Sequence, residues 1–198
     1  KNKQMLKVMR PYQVYATKAV LNELKHADFD LPINKLGFVW HTTGSGKTIT
    51  SFKTAWLASR MPNVDKVVFV VDRIALTKQT ESNYKAYDPE GSIDIDGKQF
   101  DTVGGTENTS ALKRKLNEKG YGIIVTSVQK LNTLINRKDF VVPKKNFVFI
   151  VDEAHRSTGG ESFEGLQKVF KGAAWVGYTG TPMFDKVVGK KGTKTHEV

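Results

Sequence analysis

An α/β fold, a mainly parallel β-sheet flanked by helices, is what this 198-residue sequence predicts. Three observations predict it. Short apolar runs rich in β-branched residues alternate with segments whose apolar residues recur at helical spacing, the pattern of βαβ crossovers. Two of those runs, Val67–Val71 and Phe147–Val151, are apolar at every position, as strands buried on both faces are. A glycine-rich turn, Thr42-Thr43-Gly44-Ser45-Gly46-Lys47-Thr48, joins the apolar run Leu36-Gly37-Phe38-Val39 to a helical pattern. Strand, turn and helix in that order form a phosphate cradle.

The elements follow in order. Residues 1–10 are basic and read as an entry linker. Pro11 suits the first turn of a helix, and Tyr12–His26 then carries Val14, Val20, Leu21 and Leu24 on one stripe. Asp28–Asn34 is a loop in which Pro32 blocks continuation. Thr48–Ser59 reads as helix, broken by Pro62-Asn63, and Lys66–Asp72 as a buried strand. Ile74–Tyr84 suits a helix, whereas Asp88–Glu107, rich in Gly and Asp, reads as loop with a small strand. Thr109–Glu118 is a polar helix stopped by Gly120. Strand Gly122–Thr126, helix Val128–Ile135, strand Phe147–Val151, a helix near Phe163–Phe170 and strand Ala173–Tyr178 complete the alternation. The tail Lys186–Val198 is basic and contains glycine, and no internal repeat is present.

Composition narrows the partners. The 31 Lys and Arg against 20 Asp and Glu leave a net charge of +11, which favours polyanions, nucleic acid ahead of an anionic membrane surface. There is no cysteine, so disulfides and thiolate metal sites are excluded and a reducing compartment fits. The longest apolar runs are far short of the roughly 20 residues a membrane helix needs, and no secretory signal opens the chain. The chain starts at Lys1 rather than Met, so it is expected to be a piece of a longer protein.

The glycine-rich turn carries the first chemistry. Gly44 and Gly46 permit positive φ and close approach of the main chain to an anion. Lys47 is placed to reach the β- and γ-phosphates of a nucleotide, and the Thr48 hydroxyl to ligate Mg²⁺. Asp152-Glu153-Ala154-His155 follows directly on the strand Phe147–Val151, at the edge where open α/β sheets bind ligands. Hydrolysis of ATP needs a carboxylate for Mg²⁺, the place of Asp152. It also needs a group to orient or deprotonate water, and Glu153 is the nearest. His155 alone reads as readily as a hydrogen-bonded structural residue. His41 stands where the GxxxxGK pattern has its first glycine, so that pattern is only partly met. Tyr178-Thr179-Gly180-Thr181-Pro182 offers hydroxyls toward His155 or the phosphates.

DEAH followed by TGTP, behind a GSGKT loop, resembles the superfamily 2 helicases and translocases. More narrowly, the chain is similar to the motor portion of the restriction (R, or HsdR) subunit of type I restriction enzymes. WHTTGSGKTITSFK, VVFVVDRIALTKQT, GGTENTSALKRKL, IIVTSVQKLN, FIVDEAHRS and GYTGTPMF carry that likeness, from about Arg10 to Phe184. His41 fits it, because this family's loop reads His-Thr-Thr-Gly-Ser-Gly-Lys-Thr.

The resemblance implies a RecA-like P-loop NTPase lobe over residues 11–185, a linker from a preceding domain over 1–10, and a tail over 186–198 leading to a second lobe. It implies that Thr43, Gly44, Ser45, Gly46, Lys47 and Thr48 hold ATP, with Gln13 reading the adenine edge. Thr48 and Asp152 would hold Mg²⁺, Lys47 and Glu153 would be catalytic, and His155, Thr179, Gly180 and Thr181 would couple nucleotide state to lobe movement. Arg73, Thr77, Gln79, Thr126 and Ser127 match segments that touch the DNA backbone. Gly104–Thr109, with Lys113, Arg114 and Lys115 behind it, is a further DNA-facing candidate. Implied partners are double-stranded DNA and the methyltransferase and specificity subunits of a restriction complex, in the cytoplasm of a bacterium or archaeon. A complete motor of this class also has a second RecA-like lobe and a nuclease domain, for which 198 residues leave no room. An RNA helicase, a remodeller, or a nucleotide-responsive DNA-binding module without hydrolysis stay open as alternatives.

Overall fold

The computed structural model describes residues 8–32, 34–42, 44–72, 74–95, 98–152 and 161–180. The described elements are α1 (Pro11–Lys25), β1 (Asn34–Trp40), α2 (Lys47–Ala58), β2 (Lys66–Val71), α3 (Ile74–Tyr87), β3 (Ser92–Ile95), β4 (Lys98–Asp101), β5 (Val103–Gly105), α4 (Thr109–Asn117), β6 (Ile123–Ser127), α5 (Val128–Ile135), β7 (Phe147–Asp152), α6 (Glu161–Val169) and β8 (Ala174–Thr179). Six strands make one sheet in the order β1-β8-β7-β2-β6-β5, and every pairing in it is parallel. That is the predicted α/β class.

The sheet is covered on both faces, which explains its unbroken apolar runs. Side chains alternate along each strand, so Val67, Phe69 and Val71 of β2 join one core cluster while Val68 and Val70 join the other. The first cluster receives Val20 and Leu24 of α1, Phe52, Ala55 and Ala58 of α2, and Tyr84 of α3. The second receives Leu112 and Leu116 of α4, Leu131 and Leu134 of α5, and Phe163 and Leu166 of α6. Aromatic stacking fills the latter: the rings of Phe149 and Trp175 lie 4.1 Å apart and 8° from parallel, with Phe163 edge-on to Trp175.

Two local expectations are corrected. The buried stripe of α1 is Gln13, Thr17, Val20 and Leu24, with Val14 half-buried. Two polar residues enter the stripe because α1 lies against α2, where Thr54 bonds Thr17 and the loop before α2 receives Gln13. Asp88–Glu107 holds three strands, a β3–β4 antiparallel hairpin and β5 on the edge of the main sheet beside β6. Two of the three β5 residues are glycine, so no alternation marks the strand; a Cβ on Gly104 or Gly105 would run into the side chains of Lys115 or Glu81.

The connections place the site. From edge strand β1 the chain crosses through α2 to β2, then through α3 to the far side, and returns through α4, α5 and α6 on the other face to β8, beside β1. Because the strands are parallel, the carboxyl ends of β1, β8 and β7 lie along one edge, side by side. Open α/β sheets bind ligands at such an edge.

Candidate nucleotide-binding site

The glycine-rich turn is shaped by its two glycines. Gly44 (φ 80°) and Gly46 (φ 86°) both take the left-handed conformation, and Gly46 is the N-cap of α2. Its carbonyl accepts from the Ile49 and Thr50 amides, starting the helix at Lys47. The first turn of α2 therefore aims its amides and its partial positive charge at the mouth of the loop.

Side chains from α1 and from the end of β1 brace this loop. The Tyr12 hydroxyl donates to the Ser45 carbonyl at 2.7 Å, and Gln13 Nε2 donates to the same oxygen at 2.9 Å. The other end of the Gln13 carboxamide accepts from the Arg10 amide at 2.8 Å. Gln13 is thus buried, and it spans from the start of α1 to the loop. Sequence reading singled out Gln13 but missed Tyr12, whose only local signal is its place beside Pro11. His41 is buried between the rings of Tyr12 and Tyr178, with Nδ1 2.9 Å from Ser45 Oγ. Burial, and after it the charge of Lys47, lowers the His41 pKa below its ordinary value. The His41 amide donates to the Thr179 carbonyl at 2.8 Å, and Trp40 Nε1 to the Gly180 carbonyl at 3.3 Å, tying the turn after β1 to the end of β8. Arg10, Tyr12, Trp40 and His41 face a cleft of about 490 Å³ beside the loop.

Lys47 and Asp152, 105 positions apart in sequence, meet here. Lys47 Nζ lies 3.0 Å from Asp152 Oδ1, both side chains about one-fifth exposed. Thr48 is exposed in the first turn of α2, and its carbonyl accepts from Ser51 Oγ. Beneath this turn two buried hydroxyl pairs anchor α2: Ser51 with Tyr84 at 2.9 Å, and Thr54 with Tyr178 at 2.7 Å. Thr43, Arg73, Glu153, His155 and Thr181 lie outside the described residues.

A second cleft, of about 640 Å³, opens between α3, β5 and α4. Thr77 lines it with a buried hydroxyl that has no hydrogen-bond partner among the described residues. Thr106, Lys115 and Lys130 line it too, and Lys130 Nζ donates to the Thr106 carbonyl. Gln79 is exposed on α3. Thr126 and Ser127 are buried with their hydroxyls engaged inside the protein, Thr126 with Thr106 at 3.1 Å and Ser127 as the N-cap of α5. Lys113 points elsewhere, to Asp139 at 2.9 Å. Among the described residues no helix is long and apolar enough to cross a membrane.

A family model described as SWI2/SNF2 ATPase matches residues 12–198. The chain belongs to that family. Among curated relatives of this ATPase is the C-terminal part of a putative type I restriction enzyme MpnIIP endonuclease subunit from Mycoplasma pneumoniae. It is 41% identical over 173 residues, covering 82% of this chain and 79% of the relative. The type I restriction enzyme SauMSSORF170P endonuclease subunit of Staphylococcus aureus (strain MSSA476) is 37% identical over 98% of this chain. The chain spans only 20% of that relative's length. Two solved structures share the fold of this ATPase. The Sulfolobus solfataricus SWI2/SNF2 ATPase core in complex with dsDNA aligns over 94% of this chain and 35% of its own, with TM-score 0.63 and 16% identity. A nuclease-deletion mutant of the Type ISP restriction-modification enzyme LlaGI in complex with a DNA substrate mimic aligns over 96% of this chain and 19% of its own, with TM-score 0.60 and 24% identity.

Proposed function

We propose that this SWI2/SNF2 ATPase domain is the ATP-binding lobe of an ATP-dependent double-stranded DNA translocase, part of the endonuclease subunit of a type I restriction-modification enzyme. The observation that carries the reading is the Lys47–Asp152 contact at the mouth of a loop bent by two left-handed glycines. It brings a phosphate-seeking cation and a metal-seeking carboxylate to one helix N-terminus. Similarity to restriction endonuclease subunits along almost the whole chain supports the restriction setting. Relatives of the fold solved with DNA, and the net charge of +11, support DNA as the partner. Methyltransferase and specificity subunits, in a bacterial or archaeal cytoplasm, are the companions such an enzyme implies.

The loop amides, the N-terminus of α2 and residues Thr43–Thr48 hold the triphosphate, with Lys47 turning from Asp152 to the β- and γ-phosphates. That leaves the Asp152 carboxylate and the Thr48 hydroxyl as oxygen donors for Mg²⁺. The set fits, because Mg²⁺ is usually held by one or two carboxylates together with substrate phosphates. When bound, the ion neutralises charge developing on the transferred phosphoryl group. Glu153 orients or deprotonates the attacking water. Gln13, which also braces the loop through the Ser45 carbonyl, reads the adenine edge, and His155, Thr179, Gly180 and Thr181 relay nucleotide state. Thr77, which lines the second cleft, and Gln79, exposed on α3, take DNA phosphates with Arg73. Thr126 and Ser127, matched to the same role by sequence, are left out of that contact because their hydroxyls are engaged inside the protein.

In the full-length protein, Lys47→Ala is expected to abolish ATP hydrolysis, translocation and any cleavage that needs translocation, while DNA binding persists. Triplex displacement measures translocation directly. A Lys47→Ala protein that still displaces triplexes would overturn the assignment.

A further inference from the structure

His41 holds the position where a phosphate loop of this kind ordinarily has a glycine, and the hydrogen bonds around it determine its protonation. Ser45 Oγ lies 2.6 Å from the Thr42 carbonyl oxygen. Two oxygens that close share a proton, and a carbonyl has none to give, so the single hydroxyl proton of Ser45 is spent on Thr42. The contact between Ser45 Oγ and His41 Nδ1, 2.9 Å, is then one in which Ser45 can only accept. His41 therefore carries a proton on Nδ1.

We propose that His41 is a positioning residue for the phosphate loop: as the neutral Nδ1–H tautomer it donates to Ser45 and holds the loop in its nucleotide-accepting form. Four further features support this. His41 is 3% exposed and its ring lies between Tyr12 and Tyr178, so the ring's orientation is set by packing. Burial and the nearby Lys47 charge favour the neutral ring. Ser45 is also the loop residue on which the other braces converge, since its carbonyl receives both Tyr12 and Gln13. The His41 main chain donates to Thr179 at the end of β8, so one residue joins that strand to the cradle. A glycine here would leave the Ser45 side chain without its donor and the two tyrosines without the ring between them.

The inference rests on the nucleotide-site reading above, and the test separates the two. In the full-length protein, His41→Phe keeps a ring between the tyrosines and removes the donor; His41→Asn supplies an amide N–H in place of Nδ1–H. One neutral hydrogen bond that preorganises the loop is worth about three- to tenfold in affinity. His41→Phe is expected to raise the KM for ATP by that factor with kcat within about twofold, and His41→Asn to stay close to the parent. Ser45→Ala removes the acceptor without touching the ring, and should raise KM as His41→Phe does, with no further rise when the two are combined. Equal KM values for the Phe and Asn variants, or additive effects of His41→Phe and Ser45→Ala, would overturn the proposal. Lys47→Ala serves as the separate control: retained hydrolysis there defeats the nucleotide-site reading itself, whatever the His41 variants do.

Discussion

Gly46 illustrates how much one position in the loop must satisfy. Its φ of 86° lies in the left-handed region, and a Cβ there would overlap Gln13 Nε2. Gly44 has similar φ but open space around it. Left-handed backbone costs an ordinary residue about 1–2 kcal/mol, and on top of that Gly46→Ala pushes the Gln13 brace away. Gly46→Ala should therefore weaken nucleotide binding by at least about tenfold, more than Gly44→Ala, with the fold retained. Titration with a fluorescent ATP analogue, beside circular dichroism, checks the order; equal losses in the two variants would contradict it. At this scale the sequence was legible in its types and opaque in its contacts. Gly44, Gly46, Lys47 and Asp152 declared their chemistry by motif. Tyr12 and Lys130 did not, because each acts on a carbonyl group, of Ser45 and Thr106, that any sequence would supply.

Among the elements, β2 contains a residue that works against stability. Lys66 begins this strand at 5% exposure, and burial, reinforced by the charge of Lys145, pulls its pKa down to about 8. The folded-state pKa is thus below the ordinary lysine value of about 10.4. Below pH 8 both folded and unfolded chains carry the proton, and the burial penalty is felt in full. Between about 8 and 10.4 the unfolded chain retains a proton the folded one has shed, so stability rises with pH across that window. Lys66→Met should stabilise the domain at pH 7 by on the order of 1 kcal/mol, about 2–4 °C in Tm, and flatten the rise. Thermal melts at pH 7 and 9.5 measure both; a variant less stable than the parent at pH 7 would show that the charge contributes more than its burial costs. The helices and the buried strands were legible because their periods are local. The exceptions lie in Asp88–Glu107, where β3 and β4 form a hairpin and β5 is a strand only because β6 offers it a ladder.

As a whole, the molecule presents its candidate ATP site on an open edge. Lys47 and Asp152 are partly exposed, and among the described residues the cleft beside the loop is lined by the start of α1 and the turn after β1. Arginines supplied from a second lobe, as the family resemblance implies, would contribute roughly 10³–10⁵ in rate. The 198-residue chain by itself is therefore expected to hydrolyse ATP barely above background; robust phosphate release that is lost on Glu153→Gln would show that hydrolysis needs no arginines from a second lobe. Its affinity for duplex DNA should fall with salt, with a slope of about −0.9 per phosphate neutralised. A salt titration that leaves affinity flat would remove the second cleft from consideration as a backbone contact.

By itself the sequence determined the α/β class, the order of helices and strands outside Asp88–Glu107, and the residue types of a candidate phosphate loop and its acidic partner. These are short-range properties: apolar period, turn chemistry, and the spacing within GSGKT and DEAH. Only the tertiary structure decided that β1 lies beside β8, which brings His41 and Trp40 against the end of the Thr179-Gly180 strand. It alone decided that Gln13 and Tyr12 meet on one carbonyl, and that Thr126 meets Thr106 inside the protein. Those outcomes depend on crossovers that join segments tens of residues apart, and no local pattern encodes which strand a crossover will reach.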